Sequence, residues 1–214
     1  MNNTKNSRNE KRKGLKSFMV FFIATMLAIW FVTFIVTPPK VYAIKETAQP
    51  EKNIDEIVST LNAEMDISNT SGISKEDFIY ALENCVYDKN GVLGKNAEAI
   101  WNSCQKYQLN EFAFCGMIAF ESGWCDSKLA QNRKNILSIK NANGEYIRYD
   151  SYAKCIEDGA KLLRKNYINN DSKYSTGGKL TDIAYIYLGG ETYIEQWCDG
   201  VSSCANLCTK ALLS

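Results

Sequence analysis

Between Glu111 and Glu121 the chain runs Phe-Ala-Phe-Cys-Gly-Met-Ile-Ala-Phe, a stretch that is apolar nearly all round. A helix with no polar face has to be enclosed by other elements. The run therefore predicts a central buried helix with amphipathic helices packed around it. Glu121 closes the run in an awkward place for a carboxylate. The last turn of a helix presents unsatisfied carbonyls that repel an anion, and apolar neighbours disfavour the charged form. An acid held in that setting is a candidate general acid with a raised pKa.

The flanking sequence supplies the amphipathic partners. Ser74 and Asp77 make a capping-box start, followed by Phe78, Ala81, Leu82 and Cys85 at helical spacing. Ala97, Ile100, Trp101, Cys104 and Tyr107 line a second helix face. Ser151 opens another helix, with Tyr152, Cys155, Ile156, Gly159, Ala160, Leu163 and Tyr167 on one stripe. Leu180, Ile183, Ala184, Tyr187 and Leu188 form a further set, and residues 203–213 a last helix. One segment changes period: Leu137 and Ile139, then Ile147 and Tyr149, alternate about Asn143-Gly144, a hairpin signal. The expected fold is mostly α (α+β), a helical domain over residues 72–214 with a small β-hairpin lobe. Residues 37–71 read as a polar linker that could hold a short helix from Ile54 to Met65.

The N-terminus sets the compartment. Lys5, Arg8, Lys11, Arg12, Lys13 and Lys16 form a basic tail (1–16) ahead of an uncharged, mostly apolar stretch over residues 17–36. About 20 such residues span a bilayer core as a helix, and the basic flank keeps the N-terminus in the cytoplasm. Pro38 and Pro39 stop the helix, and Val41-Tyr42-Ala43 resembles a signal-peptidase site. Two readings stand: an uncleaved single-pass membrane anchor, or a signal cleaved after Ala43 to give a secreted protein. Both export the remainder.

Beyond Ala43 there are 18 basic and 23 acidic residues, a net of about −5, so no basic face for nucleic acid is expected. All eight cysteines lie in the exported part, and an even count outside the cytoplasm suggests disulfides, with no pairing assignable from the sequence; buried free thiols are the alternative, since Cys115 sits in the apolar run as a small hydrophobe. The chain has no histidine. Ser-His-Asp and Cys-His catalysis are thereby excluded, and a zinc centre is disfavoured even where Cys198, Cys204 and Cys208 cluster. No GxxxxGK[ST] phosphate loop occurs. Chemistry by carboxylates remains, with glycoside hydrolysis its main extracellular example. No metal or cofactor is expected.

Downstream of the apolar run, the segments Glu121-Ser122-Gly123-Trp124, Ser127-Lys128-Leu129-Ala130, residues 135–140 (NILSIK) and Tyr149-Asp150-Ser151-Tyr152 come in one order. This series resembles the glucosaminidase family of bacterial cell-wall hydrolases, whose domain reads E-[ST]-G-W-G-x-S-x-L-A, then N-N-L-F-G-I-K, then a hairpin ending ahead of a helix. Residues 91–101 and 106–110 are similar to that family's helical lead-in. Lytic transglycosylases share the Glu-Ser-Gly triplet but continue into Gly-Leu-Met-Gln, which this chain lacks. The resemblance implies a lysozyme-like fold, peptidoglycan glycan strands as substrate, and an endo-β-N-acetylglucosaminidase activity. Lytic transglycosylase or muramidase activity and a non-catalytic wall-binding module are the alternatives.

By that resemblance Glu121 falls on the family's catalytic acid. Glu145, the hairpin's only acid, is the candidate second catalytic group. A solvated turn acid is its other reading, and the substrate's own 2-acetamido group can replace a second acid. Tyr187 matches a late tyrosine the family uses. Trp124 is a candidate sugar-stacking wall, or one side of the acid's pocket. Ser122 could hold the Glu121 carboxyl or end the helix, and Asn135 could fix the base of the hairpin; both count as candidate substrate-binding residues. Trp197 is expected to pack.

Overall fold

The computed structural model describes residues 53–169, 171, 174 and 177–213. The expected basic tail and the apolar stretch at 17–36 lie outside the described residues. Among those described, no helix is long and apolar enough to cross a membrane.

The architecture is helical: α1 (Ile54–Thr60), α2 (Lys75–Glu83), α3 (Val92–Lys95), α4 (Ala97–Tyr107), α5 (Glu111–Ser122), α6 (Lys128–Arg133), α7 (Tyr152–Leu163), α8 (Leu180–Tyr187) and α9 (Ile194–Cys208). A π turn extends α7 over Arg164–Ile168, and a 3-10 turn follows α9 over Lys210–Leu212. The expected caps form. Ser74 accepts from the Asp77 N–H at 3.0 Å, Ser151 from the Lys154 N–H at 3.1 Å, and Asn110 opens α5 by accepting from Ala113 at 3.0 Å.

Helix α5 is the central element. Phe112 to Ala119 are buried without a break, as an all-round apolar sequence requires. Its main partner is α9, and Gly116 is where the two backbones meet. A Cβ at Gly116 would collide with the Val201 carbonyl oxygen and stand 2.9 Å from Ala205. Helix α4 lies against α7, and α8 against α9. Val201 and Ala205 face the contact, and Trp197 stands one turn before Val201 on the same helix.

Four expectations change. Residues 54–71 are not a free linker: Ile57, Leu61, Met65 and Ile67 are buried in the one hydrophobic core. The Met65 carbonyl accepts from the Leu180 N–H at 2.9 Å, and the Ile67 N–H donates to Gly178 at 2.8 Å. The last helix starts at Ile194, because Trp197, Cys198 and Val201 continue the buried stripe toward its N-terminus.

The hairpin lobe is smaller than expected, and the described residues contain no sheet. A single antiparallel bridge joins Lys140 and Tyr146, with Ile147 N–H on Ile139 O at 3.0 Å. The turn is organised by Asn141. Its side-chain oxygen accepts from Asn143 (2.9 Å) and Glu145 (3.0 Å), and Gly144 supplies the positive φ of 82°. A side chain that bonds its own loop this way replaces ladder bonds, so pairing stops after one bridge.

The expected disulfides do not form in this structure. All eight cysteines are thiols, and seven are buried. Cys104, Cys115 and Cys155 are wholly enclosed, packing as small apolar side chains.

Candidate active site

The C-terminal end of α5 breaks sharply. Gly123 caps the helix in the left-handed region, and Trp124 and Cys125 follow with φ of 58° and 63°. Left-handed backbone is costly for residues with a Cβ, so the turn needs restraints. The Trp124 N–H reaches the Ala119 carbonyl at 2.7 Å and the Ser127 N–H the Ser122 carbonyl at 3.0 Å. Ser122 supplies the rest. Its hydroxyl donates to Ile118 O at 2.6 Å and accepts from Cys125 N at 2.8 Å. Ser122 therefore ends the helix, with its hydroxyl bonded to backbone on both sides.

This turn leaves Glu121 partly exposed at the last turn of α5, facing α8 and α9. The indole N–H of Trp197 donates to Glu121 Oε1 at 2.8 Å. Tyr187 is its other side-chain partner. Burial pushes the Glu121 carboxyl above the usual range, and the bonds from Trp197 and Tyr187 pull partly the other way. The Tyr187 hydroxyl is pushed upward by burial first and by the Glu121 charge second, so it keeps its proton.

Tyr187 is a junction. Its hydroxyl stands 3.3 Å from the Leu137 carbonyl at the start of the hairpin lobe. Its ring meets Trp197 at 5.3 Å and Tyr167 at 6.2 Å. A phenol has one donor and can also accept. When Glu121 is ionised the O–H is best spent on the carboxylate. When Glu121 is protonated, the phenol oxygen can accept from it while its O–H turns to Leu137. The site can thus hold Glu121 in either charge state without leaving a buried polar atom unpaired.

The other candidates sit elsewhere. Asn135 is buried, its amide donating to Ile139 O (2.8 Å) and Ile147 O (3.0 Å) and its oxygen accepting from Ile139 N (2.9 Å). It pins both arms of the hairpin, so its reach to a substrate is indirect. Glu145 is exposed on the hairpin turn, beside the Asn141 amide at 3.3 Å. Trp124 is half-buried and faces Tyr87, with ring centroids 5.5 Å apart and planes inclined by 31°. Lys210 lies over Tyr87 at 5.8 Å. The structure thus brings Glu121, Tyr187 and Trp197 together. Trp124 and Tyr87 form a separate aromatic pair just past the helix end.

Sequence reasoning missed the Trp197 hydrogen bond and the part of Tyr167. The one available signal was a tryptophan in the first turn of an amphipathic helix, since a buried indole N–H needs an acceptor. Nothing in the sequence said which acceptor.

Residues 97–200 match the family model for glucosaminidases, described as mannosyl-glycoprotein endo-beta-N-acetylglucosaminidase. The chain carries a glucosaminidase-family domain. The match begins at α4 and ends inside α9, so Glu121, Tyr187 and Trp197 all fall within it. Among solved structures the chain is similar to S. aureus autolysin E in complex with the muropeptide NAM-L-Ala-D-iGlu. That similarity is at 18% identity and a TM-score of 0.47, covering 75% of this chain and 79% of that one. It is likewise similar to S. aureus autolysin E alone, at 18% identity, the same coverage and a TM-score of 0.46. No curated protein matches the sequence.

Proposed function

We propose that this glucosaminidase-family domain is a peptidoglycan hydrolase that cleaves β-1,4 bonds as an endo-β-N-acetylglucosaminidase, with Glu121 as general acid. The observation that carries this reading is the Glu121 carboxyl. It is partly exposed, its pKa is raised by burial, and it is oriented by the Trp197 indole at 2.8 Å. A general acid must hold its proton near working pH and reach the leaving oxygen. Burial serves the first need, and the fixed indole bond and open face serve the second.

In this mechanism Glu121 gives its proton to the glycosidic oxygen as the bond to N-acetylglucosamine breaks. The resulting carboxylate is then held by the Trp197 N–H and the Tyr187 O–H, which lower the cost of leaving a charge in a half-buried site. The positive charge growing on the sugar requires a second group. The 2-acetamido oxygen of the substrate supplies it by intramolecular attack, which suits an exposed Glu145 engaged in its own turn. Trp124 and its partner Tyr87 offer an apolar face for a sugar ring beyond the acid. No cofactor enters the reaction.

The stretch over residues 17–36 holds the domain at the outer face of the membrane, or is removed after Ala43. Protease added to intact cells degrades the domain in either case, whereas protection from protease argues against export.

The test of the activity is product analysis on purified peptidoglycan. New reducing ends of N-acetylglucosamine are expected, and Glu121→Gln should lower the rate by about 10³-fold with the fold intact. Reducing muramic acid or 1,6-anhydromuramic ends would assign the muramidase or transglycosylase reaction instead. Binding without release of any reducing sugar would make the domain a wall-binding module.

A further inference from the structure

Charge is spread unevenly along this domain. Residues 127–149, which hold α6 and the hairpin lobe, carry five basic residues and one acid, Glu145, a net of +4. The rest of the chain beyond Ala43 carries 13 basic and 22 acidic residues, a net of −9. Lys128, Arg133, Lys140 and Arg148 are exposed, and Lys134 is half-buried. Among the described residues, ion pairs form on Lys75, Lys106, Lys154 and Lys179, and none involves the lobe. Its cations are therefore not neutralised by carboxylates of the same domain.

The backbone gathers three of these cations around one aromatic ring. The end of α6 lies along the second arm of the hairpin, with the Tyr149 N–H on the Arg133 carbonyl at 2.9 Å. Arg133 Nη1 donates to the Tyr146 carbonyl at 2.6 Å, and Arg148 Nη1 to the Asn132 carbonyl at 2.6 Å. Lys140 is bridged to Tyr146, and its Nζ stands 4.9 Å from the centre of the Tyr146 ring. Tyr146 is 42% exposed. Binding carbonyls at the end of α6 is a structural duty for Arg148. It uses one of the five N–H donors of that guanidinium, and it does not use Lys140 at all. The lobe also adjoins the acid's site. The Leu137 carbonyl is 3.3 Å from the Tyr187 hydroxyl, and the Tyr146 phenol is near enough to Tyr187 to act on its charge.

We propose that Arg133, Lys140, Tyr146 and Arg148 form a docking surface for the carboxylates of peptidoglycan's peptide stems, beside Glu121 and Tyr187. The proposal rests on the reading of the domain as a peptidoglycan hydrolase. Stem carboxylates are discrete anions carried at intervals along a glycan strand. A guanidinium edge takes a carboxylate through paired N–H bonds, and Lys140 adds a compact positive charge. The Tyr146 ring offers an apolar face to the stem or to a sugar. The acidic body repels a continuous polyanion such as a phosphodiester polymer, whereas spaced carboxylates can meet the lobe alone. Stem charge then becomes a determinant of which strands the domain engages.

Co-sedimentation of the full-length chain with insoluble peptidoglycan, in the cold to limit turnover, tests this. The wall is first stripped of phosphodiester polymers with hydrofluoric acid, and half is then amidated with carbodiimide and ammonia to neutralise its carboxylates. Amidation should weaken binding about 10-fold at low salt, and so should Lys140→Gln with Arg148→Gln on the plain wall. Both differences should vanish at high salt. Lys106→Gln with Lys154→Gln removes the same two charges from lysines already paired with acids, and should bind like wild type. Equal binding to plain and amidated wall overturns the proposal. So does loss of binding on stripping the phosphodiester polymers alone, which would assign the anion to phosphate. Binding needs no turnover, so charge-dependent binding without sugar release supports the docking surface and defeats only the hydrolase reading. Equal binding and equal hydrolysis of both walls keeps the hydrolase and removes the surface. The wild-type comparison decides even if a variant fails to fold.

Discussion

The two acids at the ends of α5 share one helix and opposite fates. Glu111 sits in the first turn, where the helix dipole favours an anion, and is 0% exposed. Its Oε2 accepts from the Ser71 N–H at 2.8 Å and its Oε1 from the Gln105 amide at 2.6 Å. Glu121 sits in the last turn, where the dipole opposes charge, and has an exposed side and an indole on one oxygen. Burial raises both carboxyls. A shifted pKa therefore does not distinguish them. What does is access: Glu111 is enclosed by donors that staple α5 to the segment at Ser71 and to α4, while Glu121 keeps a face on which a substrate oxygen can lie.

The comparison predicts a clean separation of stability from activity. Glu111→Ala leaves the Ser71 N–H and the Gln105 amide without their acceptor, and should cost about 3 kcal/mol of stability. The specific activity of the folded fraction should stay near wild type. Chemical denaturation followed by assay checks both, and a stability loss under about 1 kcal/mol would show that the acid is not a staple.

Trp197→Phe keeps the packing and deletes the N–H donor at 2.8 Å. Because that bond lowers the Glu121 pKa, its removal should shift the alkaline limb of the kcat/KM profile to higher pH. Loss of orientation should also cut the plateau by about 10- to 30-fold. A lower plateau with an unmoved limb would leave Trp197 a packing residue. Tyr187→Phe should move the limb in the same direction by less, with about a 10-fold drop, since Tyr187 is the smaller of the two stabilising influences. Glu145→Gln should change the rate less than about 10-fold if the substrate acetamide is the nucleophile. A loss of 100-fold or more would make Glu145 the second catalytic group.

The pH dependence of stability carries a fixed sign. A carboxyl whose folded pKa is raised contributes stability that is complete below its unfolded pKa and is lost as pH rises through the folded one. Glu121 and Glu111 should both weaken the fold on passing upward from the ordinary carboxylate range. Glu121→Gln should remove the Glu121 share, flattening that part of the Tm-against-pH curve.

Much of this was legible in residues alone. The apolar run from Phe112 to Phe120 required enclosure, and enclosure gave a helical domain with α5 at its centre. The caps at Ser74 and Ser151 and the period change around Asn143-Gly144 followed from local chemistry, because each bond spans only a few residues. Burial of residues 54–71 was hidden, since Ile57, Leu61, Met65 and Ile67 are too sparse in a polar stretch to show a stripe. The weakness of the hairpin was hidden as well, because it depends on where the Asn141 side chain points.

The site divides the same way. An acid at the end of an apolar helix, in a chain without histidine, marked Glu121 as the candidate general acid from sequence order alone. Its partners come from 66 and 76 residues downstream, and the separation of Glu145 and Trp124 from that cluster is equally non-local. Sequence order sets what a residue can do through its neighbours on one helix. Which indole meets which carboxylate is set only when α8 and α9 close on α5, and the small residue at Gly116 lets α9 come that near.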